Sequence, residues 1–312
     1  MSTSGSINFN VTKSDIIDHA FRLLAVYGEQ ESVSAEDTAI ASRALNMMVK
    51  SWQVQGLHLW TETEATGILQ ADIPSYTISS TAGHFSEIMV ETSISADEAS
   101  GQTVLSVTNT DNISANDYIG IVLDDESIHW TTVASKTSST VTINSAITDD
   151  ATAGNRVFSY TYKLSKPMHI SDVRIRDDSD NDMTIRRISR KDYYAIPDKY
   201  STGVPLVWYY DPQLSAGVVH LWPAPDSSNL RIKMTFQRTL EDLDSGVDNP
   251  DFPVEWSETL AYGLAVRLAP IYSAEDKLQI VAPIASDLLE GLKEWDSDKA
   301  PLSFSPNING YY

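Results

Sequence analysis

Six residues near the middle of the chain, Asp177-Asp-Ser-Asp-Asn-Asp182, have the composition of a calcium loop. Aligned on Asp178, Asp180 and Asp182, carboxylates recur at alternate positions, as a loop needs in order to turn several oxygens toward one hard cation. The match then fails. Met183 stands where the sharp turn requires Gly, and Ser189 stands where a bidentate Glu should close the coordination sphere. With strand-like residues on both sides, the segment reads as a solvated hairpin tip. Asp124-Asp-Glu126 with His129 supplies carboxylates and an imidazole, the groups of general acid–base chemistry. No Gly-x-Ser-x-Gly turn accompanies them, and His19, His58, His84, His129, His169 and His220 never fall at His-x-x-x-His spacing. The chain has no cysteine, so thiolate metal sites, disulfides and Cys nucleophiles are excluded. A Gly-rich phosphate loop and a dinucleotide fingerprint are also missing. No enzyme is suggested: no catalytic residue, no metal and no cofactor is expected.

Charge is the stronger signal. The net charge is −21, and between Lys50 and Lys136 there is no Lys or Arg, while carboxylates recur from Glu62 to Glu126. A chain this acidic offers no broad phosphate-facing surface and will not hold DNA tightly through counterion release. Basic residues gather instead between Arg156 and Lys199, most densely at Arg186, Arg187, Arg190 and Lys191. These four are the subunit-interface candidates. They fit a docking patch for an acidic neighbour, either another copy of the chain or DNA passing close by, and they equally fit internal pairing with the abundant carboxylates. Trp208, Tyr209 and Tyr210 are the exposed aromatic candidates, and with Trp130 and Trp222 they could stack on sugars.

The positioning elements form an α+β pattern. Residues 1–11 read as a flexible N-terminal arm. Thr12-Lys-Ser-Asp15 looks like a capping box opening a helix closed by Gly28, and Ser34-Ala-Glu-Asp37 opens a second that runs to about Gln55. Two more helices follow Phe252-Pro-Val-Glu-Trp256 and Ser273-Ala-Glu-Asp276, the last with a kink expected at Pro283. Residues 12–60 and 250–296 are therefore expected to form an antiparallel helical bundle from N- and C-terminal helices. Residues 61–94 and 163–249 read as a large central β region. Short, evenly spaced strands over 95–162 read as an inserted small β-sandwich or barrel. Residues 297–312 form an extended tail that carries Phe304, Pro306, Ile308, Tyr311 and Tyr312, apolar anchors suited to ordering on a partner. Met1-Ser-Thr-Ser-Gly-Ser-Ile-Asn has neither a basic start nor an apolar run, so no secretion signal and no membrane association is expected.

The helix end Ala44-Leu-Asn-Met-Met-Val-Lys-Ser-Trp52 followed by Gly56-Leu-His-Leu-Trp60 resembles the head-to-tail adaptor (connector) proteins of short-tailed bacteriophages, the tail tubular protein A and packaged-DNA stabilisation family. Asp192-Tyr-Tyr-Ala-Ile-Pro-Asp-Lys199, Gly203-Val-Pro205, Trp208-Tyr-Tyr-Asp-Pro212, Leu221-Trp-Pro-Ala-Pro225, Arg238-Thr-Leu-Glu-Asp242 and Asp251-Phe-Pro-Val-Glu-Trp256 extend the likeness over most of 12–300. The resemblance implies a structural virion protein assembled in the host cytoplasm. It implies a ring, typically of twelve copies, below the portal at the head–tail junction, extending the DNA channel and docking the tail nozzle or next connector. Its implied partners are the portal ring, other copies of itself, the tail component and double-stranded DNA that passes without tight binding. In some members a C-terminal extension reaches into the portal, which would make Phe304, Pro306, Ile308, Tyr311 and Tyr312 portal-binding residues here. The competing expectations are a carbohydrate-binding tail appendage, or a cell-wall-degrading virion protein that uses Asp124 and Glu126.

Overall fold

The structure, a computed structural model, describes Gly5 and residues 9–28, 30–54 and 59–296. Thr12 starts the first helix, α1 (Lys13–Leu23), as half of a reciprocal cap. Its hydroxyl accepts from the Asp15 N–H, and the Asp15 carboxylate accepts from the Thr12 N–H at 2.9 Å. The stop comes earlier than Gly28. Ala25 takes the left-handed conformation (φ 54°), and Val26 N–H closes onto Phe21 C=O at 3.2 Å, as Gly usually does at a helix end. Ser34 caps α2 (Ala35–Val54) by accepting from the Asp37 N–H at 3.1 Å. The α2 terminus expected at Gln55-Gly56 lies outside the described residues.

Helix α3 (Arg190–Ala195) belongs to the β unit, whereas α4 (Ser257–Leu268) and α5 (Glu275–Trp295) rejoin α1 and α2. The chain divides accordingly into residues 1–61 with 240–312 and residues 62–239. In the helical unit α4 contacts α1, α2 and α5 and buries Leu260, Ala261, Leu264, Ala265 and Leu268. A Cβ on Gly263 would stand 2.8 Å from the Trp52 ring and 2.9 Å from Met48 sulfur, so glycine is what lets α2 approach. Trp52, Trp60, Phe252 and Trp256 pack ring on ring at 5.2–6.3 Å. The irregular segment before α4 is strapped down by side chains: Lys13 Nζ donates to Leu243 C=O at 2.8 Å, and Asn46 exchanges bonds with both Leu243 backbone groups. That answers the backbone's need for partners where no ladder exists. Asp37 accepts from the hydroxyls of Tyr27 and Tyr272, the latter at 2.5 Å, and so ties the α1–α2 link to the α4–α5 link. One detail differs from the sequence expectation. Ser273 sits at φ 55° and makes no side-chain cap, and α5 starts from Ala274 instead. Pro283 lies inside an α5 that runs unbroken from Glu275 to Trp295.

The β unit holds three sheets. Its strands are β1 (Glu62–Ile68), β2 (Ser75–Ile78), β3 (Phe85–Ser86), β4 (Val90–Ser93), β5 (Val104–Ser106), β6 (Tyr118–Val122), β7 (Ile128–Lys136) and β8 (Thr140–Ile143). They continue as β9 (Arg156–Tyr160), β10 (His169–Arg176), β11 (Asp182–Thr184), β12 (Arg186–Arg187), β13 (Val207–Pro212), β14 (Gly217–Trp222) and β15 (Arg231–Gln237). One sheet is ordered β11-β10-β15-β1-β3 and a second β12-β13-β14-β2, and they share one core that includes Val173, Met234, Phe236, Trp208, Tyr210 and Leu221. The third, β4-β9-β6-β7-β8-β5, curls until its edges meet. Ile94 bridges Val107, and Thr108 N–H donates to Ser93 C=O at 2.9 Å, giving a small barrel around Ile119, Ile121, Val133, Val141 and Val157. Its first strand starts at Val90. The fold class is α+β. No described helix is long and apolar enough to cross a membrane.

Candidate functional site

The polar constellations marked in the sequence separate into two kinds. At the Asp177–Asp182 tip between β10 and β11 the carboxylates are all engaged. Asp177 accepts from the N–H groups of Ser179 and Asn181 at 2.8 and 2.9 Å, which builds the turn and holds its pKa below the usual value, chiefly through the Asn181 backbone bond. Asp178 pairs with Arg156 at 3.2 Å, and Asp180 with Arg231 at 2.9 Å. Asp182 takes both donors of the Arg176 fork at 2.7 and 2.9 Å, and this depresses its pKa. Arg231 is 2 % exposed, and its other head nitrogen meets Glu91 at 2.5 Å. The tip is thus an arginine-neutralised clasp that joins β4, β9, β10 and β15. Asp124, Asp125, Glu126 and His129 are likewise dispersed: Asp124 accepts from Thr152 and Asn155, Asp125 from Ser127 N–H, Glu126 from Ser228 N–H, and His129 bonds Ser145. Among the described residues no three His, Asp or Glu side chains are grouped to hold a metal.

The basic cluster is the opposite case. Arg186 and Arg187 form the edge strand β12, parallel to β13 with Arg186 opposite Val207 and Arg187 opposite Trp208. Both are exposed, and charge at a sheet edge discourages indiscriminate strand pairing. Ser189 then caps α3, accepting from the Asp192 N–H at 3.1 Å, and Lys199 closes its far end by donating to Tyr194 and Ile196 carbonyls at 3.2 and 2.9 Å. Arg187 lies 5.5 Å above the Trp208 ring and Arg190 lies 5.7 Å from Tyr194. Arg190 reaches Asp211 only at 3.8 Å. Among the described residues, the side chains of Arg186 and Lys191 have neither a hydrogen bond nor an ion pair.

Beneath these cations is an aromatic floor. Tyr193 is buried against His220 (5.0 Å between ring centres), and His220 is stacked on Tyr209 at 5.7 Å and 8°. Ser75 shares a 2.7 Å hydrogen bond with His220 Nδ1 across the β2–β14 pair. Burial lowers the His220 pKa, so the ring is neutral under the cations, and the same desolvation raises Tyr193 and Tyr209.

The exposed aromatic candidates are corrected here. Trp208, Tyr209 and Tyr210 are 1 %, 9 % and 5 % exposed. Strand β13 is internal to its sheet; it turns Trp208 and Tyr210 into the shared core and lays Tyr209 under α3. Trp208 Nε1 donates to Ile185 C=O at 3.1 Å, and the Tyr210 hydroxyl to Pro167 C=O at 2.6 Å, so their polar ends are satisfied inside. Trp222 is half-buried and donates to Asp198 C=O at 2.7 Å; Trp130 is stacked on His84 at 3.6 Å, where burial brings His84 down to about 3. The aromatics that do face solvent beside the cations are Tyr194, 52 % exposed, and Tyr200, 83 % exposed. Their place in Asp192-Tyr-Tyr-Ala-Ile-Pro-Asp-Lys199-Tyr200, a polar turn-rich segment, was the available signal. Phe304, Pro306, Ile308, Tyr311 and Tyr312 lie outside the described residues.

No family model matches this sequence, and no curated protein matches it. Among solved structures, a stretch covering 25 % of this chain and 16 % of the other is similar to the Gp54 tailspike of Acinetobacter baumannii bacteriophage AP22 in complex with A. baumannii capsular saccharide, at 16 % identity and a TM-score of 0.23. A second likeness, to VP17, a capsid protein of bacteriophage P23-77, covers 57 % of this chain and 82 % of that one at 9 % identity and a TM-score of 0.12. Overlaps this weak carry no argument about fold or function.

Proposed function

We propose that this chain is a structural virion protein of a short-tailed bacteriophage, a head-to-tail adaptor that forms a ring below the portal. The observation that carries the reading is the face built by Arg186, Arg187, Lys191 and Tyr194: cations and an exposed aromatic on a rigid sheet edge and capped helix, unmatched within the β unit although carboxylates outnumber cations 43 to 22. A cationic face kept clear in so acidic a chain supports docking onto an acidic surface, and the acidic surface in greatest supply is another copy of the chain. A patch that fits a different patch on the next copy is a heterologous contact, the kind that closes rings. The helices of residues 12–60 and 250–296 would form an antiparallel bundle that makes the ring body, and residues 297–312 would reach the portal. DNA would pass through an acidic channel without sticking. The engagement of every marked carboxylate in turns and clasps supports a part without turnover.

The test is mass measurement of the purified chain, alone and mixed with portal rings from the same genome. The expected result is a jump from single copies to a portal-bound ring, weakened by Arg186→Glu with Lys191→Glu and by salt. A stable closed dimer in particles, or no portal binding at any concentration, would sink the adaptor reading. Sugar binding finds less support, because Trp208, Tyr209 and Tyr210 are enclosed; a glycan array discriminates the two.

A further inference from the structure

The segment that leads into α1 forms one wall of a hollow in the helical unit. Asn10 Nδ2 donates to the Asn249 side chain at 2.8 Å, and Lys13 N–H donates to Asp248 C=O at 2.9 Å, so this wall is tied to the loop before α4. Between it, α1 and the start of α4 lies a groove of about 500 Å³. Buried Ile16 and Ala261 line it together with Phe9 and Val254, which are 74 % and 42 % exposed, so the groove has an apolar floor open to water. Asp15, Glu255 and Glu258 line it as well, against a single imidazole, His19. The Thr12 cap holds the Asp15 pKa below the usual carboxylate value and so keeps it charged. Glu255 lies in a 3₁₀ turn (Val254–Trp256) and Glu258 in the first turn of α4, three residues on, which sets the two side by side. Neither has a hydrogen bond or an ion pair among the described residues.

Apolar surface beside unanswered negative charge selects an occupant that is both apolar and cationic. Nucleic acid is repelled by it, and a lone inorganic cation would leave the floor wet. The β unit carries the counterpart. Arg186 and Lys191 have no partner among the described residues, and Tyr194 in the same segment is 52 % exposed. Two free cations around an exposed aromatic match two free carboxylates beside exposed apolar side chains in number, sign and kind. Every copy brings both halves, one in residues 1–61 with 240–312 and the other in residues 62–239. Unlike halves on each copy make a heterologous contact, which can pass from copy to copy.

We propose that the groove of Phe9, Ile16, Val254, Glu255 and Glu258 receives the Arg186–Tyr194 face of a second copy, with Tyr194 on the apolar floor and Arg186 and Lys191 against the carboxylates. The inference rests on the reading of that face as a docking surface, and it names the acidic surface that the face meets. A single contact built on exposed charges is weak. Isolated chains therefore stay mostly single, and the contact gains strength where many copies are held together.

The test captures the weak contact covalently. Full chains in heavy- and light-isotope forms are mixed in low salt, where exposed charges are least screened, and treated with a carbodiimide, which joins a carboxylate to an amine in contact with it. Lys191 of one copy should couple to Glu255 or Glu258 of the other, giving heavy–light peptides by mass spectrometry. Glu255→Lys with Glu258→Lys, and separately Arg186→Glu with Lys191→Glu, should each lower that product about tenfold or more. Mixing the two variants should restore coupling between copies through the reversed pair, a gain that a misfolded chain cannot give. Lys191 coupled mainly to other carboxylates, coupling only within single chains, no product between copies, or no gain on mixing would each overturn the proposal. A ring that still forms on the portal after such a failure would keep the adaptor reading and strike this contact alone. The cross-link without portal recruitment would do the reverse.

Discussion

The Asp177–Asp182 tip and the Arg186–Lys191 segment are separated by three residues, and they use charge in opposite ways. In the tip every carboxylate meets an arginine or a backbone N–H, and the result is a clasp between strands. In the basic segment Arg186 and Lys191 point to solvent although acids are plentiful. Charge density alone therefore does not mark a site. What separates structure from docking is whether the fold has already supplied the counter-charge.

Four experiments sharpen or break that contrast. The largest effect concerns the strand beside the cations: core-facing Trp208→Ala should cost about 4 kcal/mol in denaturant unfolding, while exposed Tyr194→Ala should stay within about 0.5 kcal/mol. A comparable loss for both would mean that the basic segment is core rather than docking surface. Arg231→Met should cost about 3 kcal/mol, at the low end for breaking a buried pair because Arg156 still reaches Glu91. Little or no loss would show that the clasp is not structural. Arg186→Glu with Lys191→Glu should leave the unfolding midpoint unchanged yet weaken association with portal or with other copies about tenfold, which is about 1.4 kcal/mol. A lowered midpoint with intact association would reverse the assignment. The smallest effect is in acid. Asp182 and Asp177 have folded-state pKa values below their unfolded ones, so the unfolded chain binds more protons there, and the stability they give is present above about pH 4 and lost as pH falls toward their folded values. Asp182→Asn should flatten the decline of the denaturant midpoint below pH 4, and an unchanged slope would break the clasp reading.

The parts of this architecture that are local in sequence were legible in it. Thr12 with Asp15, Ser34 with Asp37 and Ser189 with Asp192 are caps three residues apart, and all three form. The tip reads correctly as a hairpin because its failure as a calcium loop is also local. Ser273 has the same spacing but sits in a left-handed turn that a cap cannot use, since a cap needs extended backbone. Pairings across long separations were invisible: Arg231 meets Glu91 140 residues away, and nothing beside either residue announces it. The aromatic error has a traceable cause. Val207-Trp-Tyr-Tyr210 is apolar on both faces, the mark of an interior strand, and it reads as exposed only if strand alternation is assumed to leave one side wet. Within the candidate site the cations were legible by density. Their freedom from partners was not, because it depends on where Asp178, Asp180 and Asp182 are turned.

The barrel's attachment also limits how it can be exchanged. Glu91 and Glu126 belong to the barrel, and Arg231 and Ser228 belong to the strand and loop that receive it. Deleting or swapping residues 90–160 would therefore take Glu91 from the buried Arg231 and leave its guanidinium with only Asp180 and the Asp177 C=O. A replacement module has to bring an acid to the place of Glu91, or the host strand has to surrender Arg231 at the same time. The insertion and its socket can change only as a pair, which makes this barrel a keyed part rather than a decoration.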